Sequence, residues 1–183
     1  MACDITLGTS TVCKTSLGGV VRILLANSTD VTSVEATTDT VDVVTMTVGT
    51  QFFEYQGLAD QLSSFTGVAT GRKKGVQEAL TVVIDQDSPE LKAAFDELII
   101  ADGLVALVET ATNEWRVLGA RINAVGEPRK GNGLIHNGTG DGNTSGAGND
   151  DFVGYNYTIE RRNIGHSPFA DASIIDALLV PAV

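Results

Sequence analysis

The side chains in this sequence that could do chemistry form no catalytic pattern. Asp85 and Asp87 are paired carboxylates, which can hold a cation or share a proton. They stand just before a predicted helix, however, where acidic residues commonly meet the helix dipole. His136 and His166 are the two histidines, and neither has a Cys or another His at metal-binding spacing. We therefore predict no catalytic residue, no metal site and no cofactor, and we do not expect an enzyme.

Two further patterns resemble metal or redox sites only in part. Cys3 and Cys13 match no zinc spacing; we expect two reduced thiols of a cytosolic protein, with a disulfide as the alternative. The stretch 141–150 places oxygen side chains as a calcium loop does, but Phe152 stands where that loop needs a bidentate Glu. Residues 131–150 are rich in Gly, Asn, Thr and Ser, so we predict a mobile insertion there.

The charge of the chain argues against a nucleic-acid-binding surface. The formal net charge is −11, whereas binding to phosphates requires basic side chains that neutralise them. Arg72, Lys73 and Lys74 form the one basic cluster of the sequence. Two interpretations stay open for it: a solvated hairpin tip, or a contact with an acidic surface on a neighbouring copy of the chain.

One stretch has a clear helical signature, at about 89–101. Ser88 is a good N-cap residue, and Pro89 suits the first helical position, where no N–H is needed. Gly103 is expected to stop the helix. Apolar residues recur at helical spacing and predict one buried face, made of Leu91, Ala94, Phe95, Leu98 and Ile99.

The remaining sequence is typical of a turn-rich β protein. It contains 20 glycines, and several segments alternate apolar with polar residues. Short connections favour antiparallel pairing, because parallel strands need long crossovers. Strands are predicted in Val20–Ala26, Val31–Val48 (two strands or a hairpin), Phe52–Gln56, Gln61–Thr70 and Val76–Ile84 (one long hairpin), Leu104–Val108, Trp115–Gly119 and Phe152–Glu160.

These elements predict a single domain over residues 1–183: a mainly β, antiparallel sandwich or barrel flanked by one α-helix. The apolar segment 174–183 is expected to be a last strand, a short helix or an arm that docks on another subunit. No apolar run is long enough to cross a bilayer, and the first residues lack the features of a secretory signal. We therefore expect a soluble protein, made in a cytoplasm, with no membrane partner.

The order of several short motifs resembles that of bacteriophage tail tube proteins. The motifs are Cys13-Lys-Thr-Ser-Leu-Gly-Gly19, a strand that ends in Ala26-Asn27, a hairpin with a glycine-bracketed tip, a helix, and Trp115-Arg-Val-Leu-Gly119. The resemblance covers most of residues 2–122 and again 154–168. It implies a β-sandwich or barrel flanked by a helix, a structural protein whose hexameric rings stack into a conduit for the viral genome.

The resemblance also implies partners and a location. They are further copies of the chain, other phage tail proteins, and DNA that passes without specific binding, in a virion tail assembled in the bacterial host cytoplasm. We expect the long hairpin to contact a neighbouring subunit through Phe65, Arg72, Lys73, Lys74 and Val76. The insertion and the apolar C-terminal segment depart from the pattern and leave open a tail terminator, a baseplate hub or a head decoration protein. A monomeric β-barrel that binds a small ligand is the alternative from another class.

Overall fold

The computed structural model describes residues 19–55, 63–70, 75–84, 88–101, 103–120, 133–136, 142–144, 153–163 and 166–182. This part of the chain is mainly β, as the sequence predicts, and its strands form two sheets. In chain order the elements are β1 (Val20–Asn27), β2 (Val31–Thr37), β3 (Thr40–Met46), β4 (Phe53–Tyr55), β5 (Ser64–Thr70), β6 (Gly75–Ile84), α1 (Pro89–Ile100), β7 (Leu104–Thr110), β8 (Trp115–Leu118), β9 (Ile135–His136), β10 (Gly142–Thr144), β11 (Gly154–Asn163), β12 (Phe169–Ala170), a 3-10 helix (Ala172–Ile174) and α2 (Ile175–Leu178).

The first sheet, in the described part of the chain, has seven strands in the order β2-β3-β12-β8-β7-β1-β4. Its pairs are antiparallel except β12 with β3, which is parallel. In β1 the four consecutive residues Ile23 to Ala26 are buried, so both faces of this strand are covered. The sequence fits this burial, since a strand covered on both faces has a continuous apolar run rather than an alternating one.

The second sheet contains β10, β11, β6 and β5 in that order, with β9 also paired to β11, and all its pairs are antiparallel. The predicted long hairpin is confirmed: Ser64 lies opposite Thr81 and Thr70 lies opposite Gly75. Its tip, residues 71–74, lies outside the described residues. The predicted alternation of β11 is also confirmed, because Tyr155, Tyr157 and Ile159 are buried while Asn156 and Thr158 are only half-buried.

The two sheets share one hydrophobic core. The apolar side chains of β6 and β11 that alternate toward the first sheet meet those on one face of β1, β7 and β8. Helix α1 adds Phe95 and Leu98 to this cluster. The core between the sheets therefore contains Val20, Ile23, Leu25, Leu80, Val82, Ile84, Phe95, Leu98, Leu104, Ala106, Val108, Leu118, Leu134, Tyr155, Tyr157 and Ile159.

The predicted start of α1 is confirmed in detail. Ser88 is the N-cap, and its hydroxyl oxygen accepts a hydrogen bond from the Leu91 backbone N–H at 3.2 Å. Pro89 opens the helix, where its missing N–H leaves no bond unmade. On the buried face, the ring of Phe95 stacks on Tyr155 with the centroids 4.7 Å apart and the planes 8° from parallel. The helix thus covers the end of the second sheet.

The far end of α1 differs from the prediction. Ile99 is largely exposed, because at 3.6 residues per turn it points about 70° away from the midpoint between Phe95 and Leu98. The expected stop at Gly103 is also wrong. The helix ends at Ile100, and Ala101 already has an extended backbone, with φ −66° and ψ 126°.

The C-terminal segment forms a short helix, one of the three forms expected for it, and so a second helix beside the single one predicted. Ile175 and Leu178 of α2 are buried on the face of the first sheet opposite the shared core. The backbone N–H of Phe52 donates to the Leu178 carbonyl at 2.9 Å, and that of Ala182 donates to the Thr50 carbonyl at 2.9 Å. The described end of the chain therefore docks on its own subunit.

The predicted insertion at 131–150 is described only at 133–136 and 142–144. Leu134 is buried in the shared core, and the strands β9 and β10 pair with β11. The rest of the insertion lies outside the described residues, as do Cys3, Cys13, Asp85 and Asp87.

Replacing Phe95 by Ala should lower the free energy of unfolding by about 3 to 5 kcal/mol, since it removes a buried ring and leaves a cavity against Tyr155. Ile100→Ala is the matched control on the same helix: its side chain is 78% exposed, so the change should stay within about 0.5 kcal/mol. Urea denaturation of the three proteins measures both values. Equal losses for the two variants would show that α1 does not complete the core.

Candidate functional site

Of the five residues predicted for the subunit interface, the structure describes two, Phe65 and Val76, both in the β5–β6 hairpin. Phe65 is half-buried on β5, where its ring centroid is 5.6 Å from the Arg116 guanidinium carbon. Val76 is buried, so its side chain is already covered within the chain. The basic residues 72–74 lie outside the described residues. The interface role of these five residues stays a prediction.

An open apolar groove, not foreseen from the sequence, lies between α1 and the edge of the first sheet. Its volume is about 640 Å³. Two of its lining residues are charged, and both are acidic. The groove is lined by Leu25, Ala26, Asn27, Phe53, Glu54, Tyr55, Ser88, Leu91, Ala94, Glu97, Leu98, Ala101 and Leu104.

The groove exists because β4 is short and stands at the edge of its sheet. In the described topology β4 pairs with β1 alone, with Phe53 opposite Leu25 and Tyr55 opposite Ile23. Period-2 alternation sends Phe52 into the core on the other face, while Phe53 lines the groove and is 59% exposed. The described sheet therefore ends in a three-residue edge strand that carries an exposed aromatic ring.

Tyr55 brings a polar atom into this apolar surface. Its ring meets Phe95 edge-on at 6.3 Å between centroids. Burial raises the pKa of the Tyr55 hydroxyl to about 12, and the nearby negative charge of Glu97 acts in the same direction. The phenol is therefore neutral across the physiological range, and the groove keeps a hydroxyl group that can donate a hydrogen bond.

The two acids of the groove differ in their surroundings. Glu54 accepts a hydrogen bond from Arg22 at 2.7 Å between Nε and Oε1, and this bond raises the pKa of the Arg22 guanidinium. A second carboxylate, Glu109, lies 3.9 Å from Arg22 Nη1. Glu97 is exposed on α1, at the rim of the groove. The negative charge that the groove offers to a partner therefore comes mainly from Glu97.

A second polar cluster lies inside the protein, at the other end of the shared core. Glu78 is 1% exposed and accepts a hydrogen bond from the Ser167 hydroxyl. Arg161 is its register partner on β11, which puts both side chains on one sheet face, and it donates to the Gly119 carbonyl next to β8. Arg116 of β8 donates to the Ser167 carbonyl at 3.0 Å. These contacts join the two sheets through hydrogen bonds.

The two histidines do not share a site. His136 lies on β9 and stacks on Tyr157 with ring centroids 4.5 Å apart. His166 is exposed and lies close to Gly67: a Cβ placed on that glycine would be 3.1 Å from the His166 Nδ1 atom. Gly67 therefore suits its position because β5 passes close beneath the imidazole.

Sequence reasoning missed both the groove and the Glu78 cluster. A signal existed for Glu78, because it occupies an inward position of β6 between Val76 and Leu80 in the period-2 pattern. The groove had a weaker signal in the sequence. Leu91, Ala94, Leu98 and Ala101 lie on one side of α1, but the local sequence does not show that other residues cover only part of this side.

The raised pKa of Tyr55 predicts a loss of stability in alkali. In the unfolded chain the hydroxyl ionises near pH 10, whereas the folded protein holds its proton up to about pH 12. The stabilisation is thus complete below pH 10 and is lost as the pH rises toward 12. Near pH 11 the parent should lose about 1 kcal/mol more of its free energy of unfolding, relative to neutral pH, than Tyr55→Phe does. Parallel denaturation curves at the two pH values measure this, and equal losses would contradict the burial of Tyr55.

Removing the Ser167 hydroxyl tests the internal polar cluster. Ser167→Ala leaves the buried Glu78 carboxylate with one donor fewer, so the free energy of unfolding should fall by about 1 to 3 kcal/mol. Ser33→Ala on β2, whose side chain is half-buried outside this cluster, should change it by less than about 0.5 kcal/mol. Thermal and urea unfolding measure the free energy of unfolding of both variants. An unchanged value for Ser167→Ala would show that the cluster does not hold the sheets together.

Within the described residues, neither metal ligands nor a membrane-spanning helix indicates a function, and similarity to known proteins indicates none either. In the described residues, no group of three or more His, Cys, Asp and Glu side chains is placed to hold a metal ion. None of the described helices has the length and apolar character needed to cross a membrane. No family model matches the chain, and comparison with curated proteins and with solved structures finds no similar protein. The groove and the motif order of the chain are the features on which a function can be argued.

Proposed function

We propose that this protein is a structural subunit of a bacteriophage virion, which assembles into stacked, hexameric rings that form the tail tube. The order of motifs from Cys13 to Gly119 supports this proposal, and so does the mainly β structure with α1 beside it. In the proposed fold the two sheets form a β-sandwich of the tail tube type, with the shared core between them. The subunit acts by association and carries out no reaction.

The observation that carries the proposal is the open groove beside edge strand β4. It leaves Phe53 exposed and Leu91 and Ala94 of α1 half-buried, above the buried side chains of β1. Covering apolar surface is worth about 25 cal/mol for each Å² removed from water, so a neighbouring subunit that fills the groove is stabilised there. A surface of this kind suits a protein that works as an assembly of copies.

The outward face of the second sheet supports the role of a conduit. Its described side chains alternate with the buried ones and are mostly small and polar or neutral, with one carboxylate. They include Ser64, Thr66, Val68, Gln77, Ala79, Thr81, Ile135, Asn156, Thr158 and Glu160, and the register of β11 with β6 places Arg162 on the same face, opposite Gln77. In the proposed conduit, the net charge of −11 for each chain lets DNA pass without specific binding, because an acidic protein repels phosphates.

The proposed location follows from this role. Subunits made in the bacterial host cytoplasm assemble with other phage tail proteins and end in the virion tail. No cofactor is needed, since association requires only complementary surfaces.

A monomeric ligand-binding module is the second candidate, and the size of the groove favours it. Pockets for small molecules enclose about 300 to 1,000 Å³ and combine apolar walls with a few polar groups. The groove has this size, and the Tyr55 hydroxyl is such a group. The two candidates differ in mass: a tube subunit forms rings or filaments in solution, whereas a ligand-binding module stays a monomer.

The test of assembly compares two glutamate substitutions on the first sheet. Phe53→Glu puts a charge on the groove lining, whereas Val21→Glu puts one at a similarly exposed apolar residue of β1 outside the groove; the parent side chains are 59% and 55% exposed. By sedimentation and negative-stain microscopy, the parent and Val21→Glu should form rings or filaments and Phe53→Glu should not. A parent that stays monomeric at high concentration would contradict the tail tube. Normal assembly of Phe53→Glu would contradict the role of the groove.

A further inference from the structure

We propose that the groove between α1 and β4 binds a small ligand that carries an ammonium group on an apolar body. This inference goes beyond the tail tube role and does not rest on assembly of the copies. It names the chemical class of ligand that the alternative of a monomeric ligand-binding module leaves open. The groove brings together the three features that recognise such a molecule, which are aromatic rings, a carboxylate and an apolar wall.

Two aromatic side chains of β4 line the groove. Phe53 and Tyr55 are two residues apart on one strand, so both project from the same face of the sheet, roughly 7 Å apart along the strand. Phe53 is 59% exposed, and Tyr55 is half-buried. The faces of aromatic rings attract cations that lie within about 6 Å of the ring centroid. An ammonium group placed above this strand can therefore contact both rings.

The carboxylate of Glu97 lies near these rings, exposed at the rim of the groove. The pKa of the Tyr55 hydroxyl is raised first by burial and then by the negative charge of Glu97, so the two side chains are neighbours. The other acid of the lining, Glu54, alternates to the opposite face of β4, where it accepts a hydrogen bond from Arg22. Glu97 is thus the carboxylate of the groove that can pair with a bound cation.

The rest of the lining selects a cation over an anion. The described residues of the groove lining include no basic side chain, so an ammonium group meets no like charge there. A ligand carboxylate would instead lie beside Glu97, in a chain whose net charge is −11. The Tyr55 hydroxyl keeps its proton up to about pH 12, so it offers a hydrogen-bond donor and adds no negative charge.

The wall formed by α1 suits the apolar body of the ligand. Leu91, Ala94, Leu98 and Ala101 follow one another at helical spacing along the groove. At 1.5 Å per residue this stripe is about 15 Å long, and Glu97 lies about 9 Å from its Leu91 end. The groove volume of about 640 Å³ is within the range of small-molecule sites. An aromatic ring on a short alkyl chain therefore fits along the helix while its amine reaches Glu97.

Three compounds of similar skeleton but different charge test the proposal. At neutral pH phenylbutylamine is a cation, phenylbutanol is neutral and phenylbutyrate is an anion. They are titrated by ligand-observed NMR at low salt, at a protein concentration where sedimentation finds single subunits. The amine should bind about tenfold more tightly than the alcohol, because the rings and Glu97 each contribute about threefold. Phenylbutyrate should bind more weakly than the alcohol, and added salt should reduce the preference for the amine.

Two exposed glutamates of α1 provide a matched pair of variants. Glu97→Gln should raise the dissociation constant of the amine about threefold and leave that of the alcohol unchanged. Glu90→Gln removes the same charge in the first turn of the helix, outside the described lining, and should change neither constant. Phe53→Leu keeps an apolar side chain but removes a ring, so it should weaken amine binding about threefold relative to alcohol binding.

The outcomes separate this inference from the proposed assembly. Absence of saturable binding, equal affinity for amine and alcohol, or equal losses in Glu97→Gln and Glu90→Gln would each overturn the ligand site. Circular dichroism checks the fold of the variants. If one of them misfolds, the comparison of the three compounds on the parent decides. A parent that binds the amine but forms no rings contradicts only the tail tube, and one that forms rings but does not bind the amine contradicts only this inference.

Discussion

The packing of Phe95 against Tyr155 is the contact on which the arrangement of this molecule depends. Tyr155 is the register partner of Ile84 at the end of β6, so the stacked rings fix α1 to the edge of the second sheet just after the chain leaves it. The same helix places Leu98 in the core shared with the first sheet. The position of α1 therefore joins both sheets at one end, and it also determines how wide a gap remains between the helix and β4.

The opposite end of the shared core is joined by a different kind of interaction. There the buried Glu78 meets the Ser167 hydroxyl, and two arginines reach the Gly119 and Ser167 carbonyls. Aromatic packing tolerates small changes of angle, whereas hydrogen bonds to a buried carboxylate require defined positions. Apolar packing thus joins the sheets at the aromatic end, and hydrogen bonds fix their relative position at the polar end.

The sequence predicted those features whose cause is local. Ser88 and Pro89 mark the start of α1 by local capping chemistry, and the alternation around Tyr155 and Tyr157 marks β11 whatever lies beyond the sheet. Prediction from the sequence failed for features whose burial depends on elements distant in the chain. Ile99 has the same apolar character as Leu98 but lies about 70° around α1 from the buried face and is exposed. The groove depends on the three-residue length of β4, which no local sequence pattern predicts. The apolar C-terminal segment could not be assigned a structure from the sequence, because its helix is stabilised by packing against the first sheet.

The position of β12 has a consequence for the order in which the chain can fold. This strand, Phe169–Ala170, lies between β3 and β8, and in the described topology the β2–β3 hairpin joins the first sheet only through it. A ribosome makes the hairpin more than a hundred residues earlier. The strand pairing that joins the hairpin to the rest of the sheet therefore cannot form until residue 170 has emerged. Pairing over such a separation is slow, so the first sheet is completed only after most of these residues have been translated.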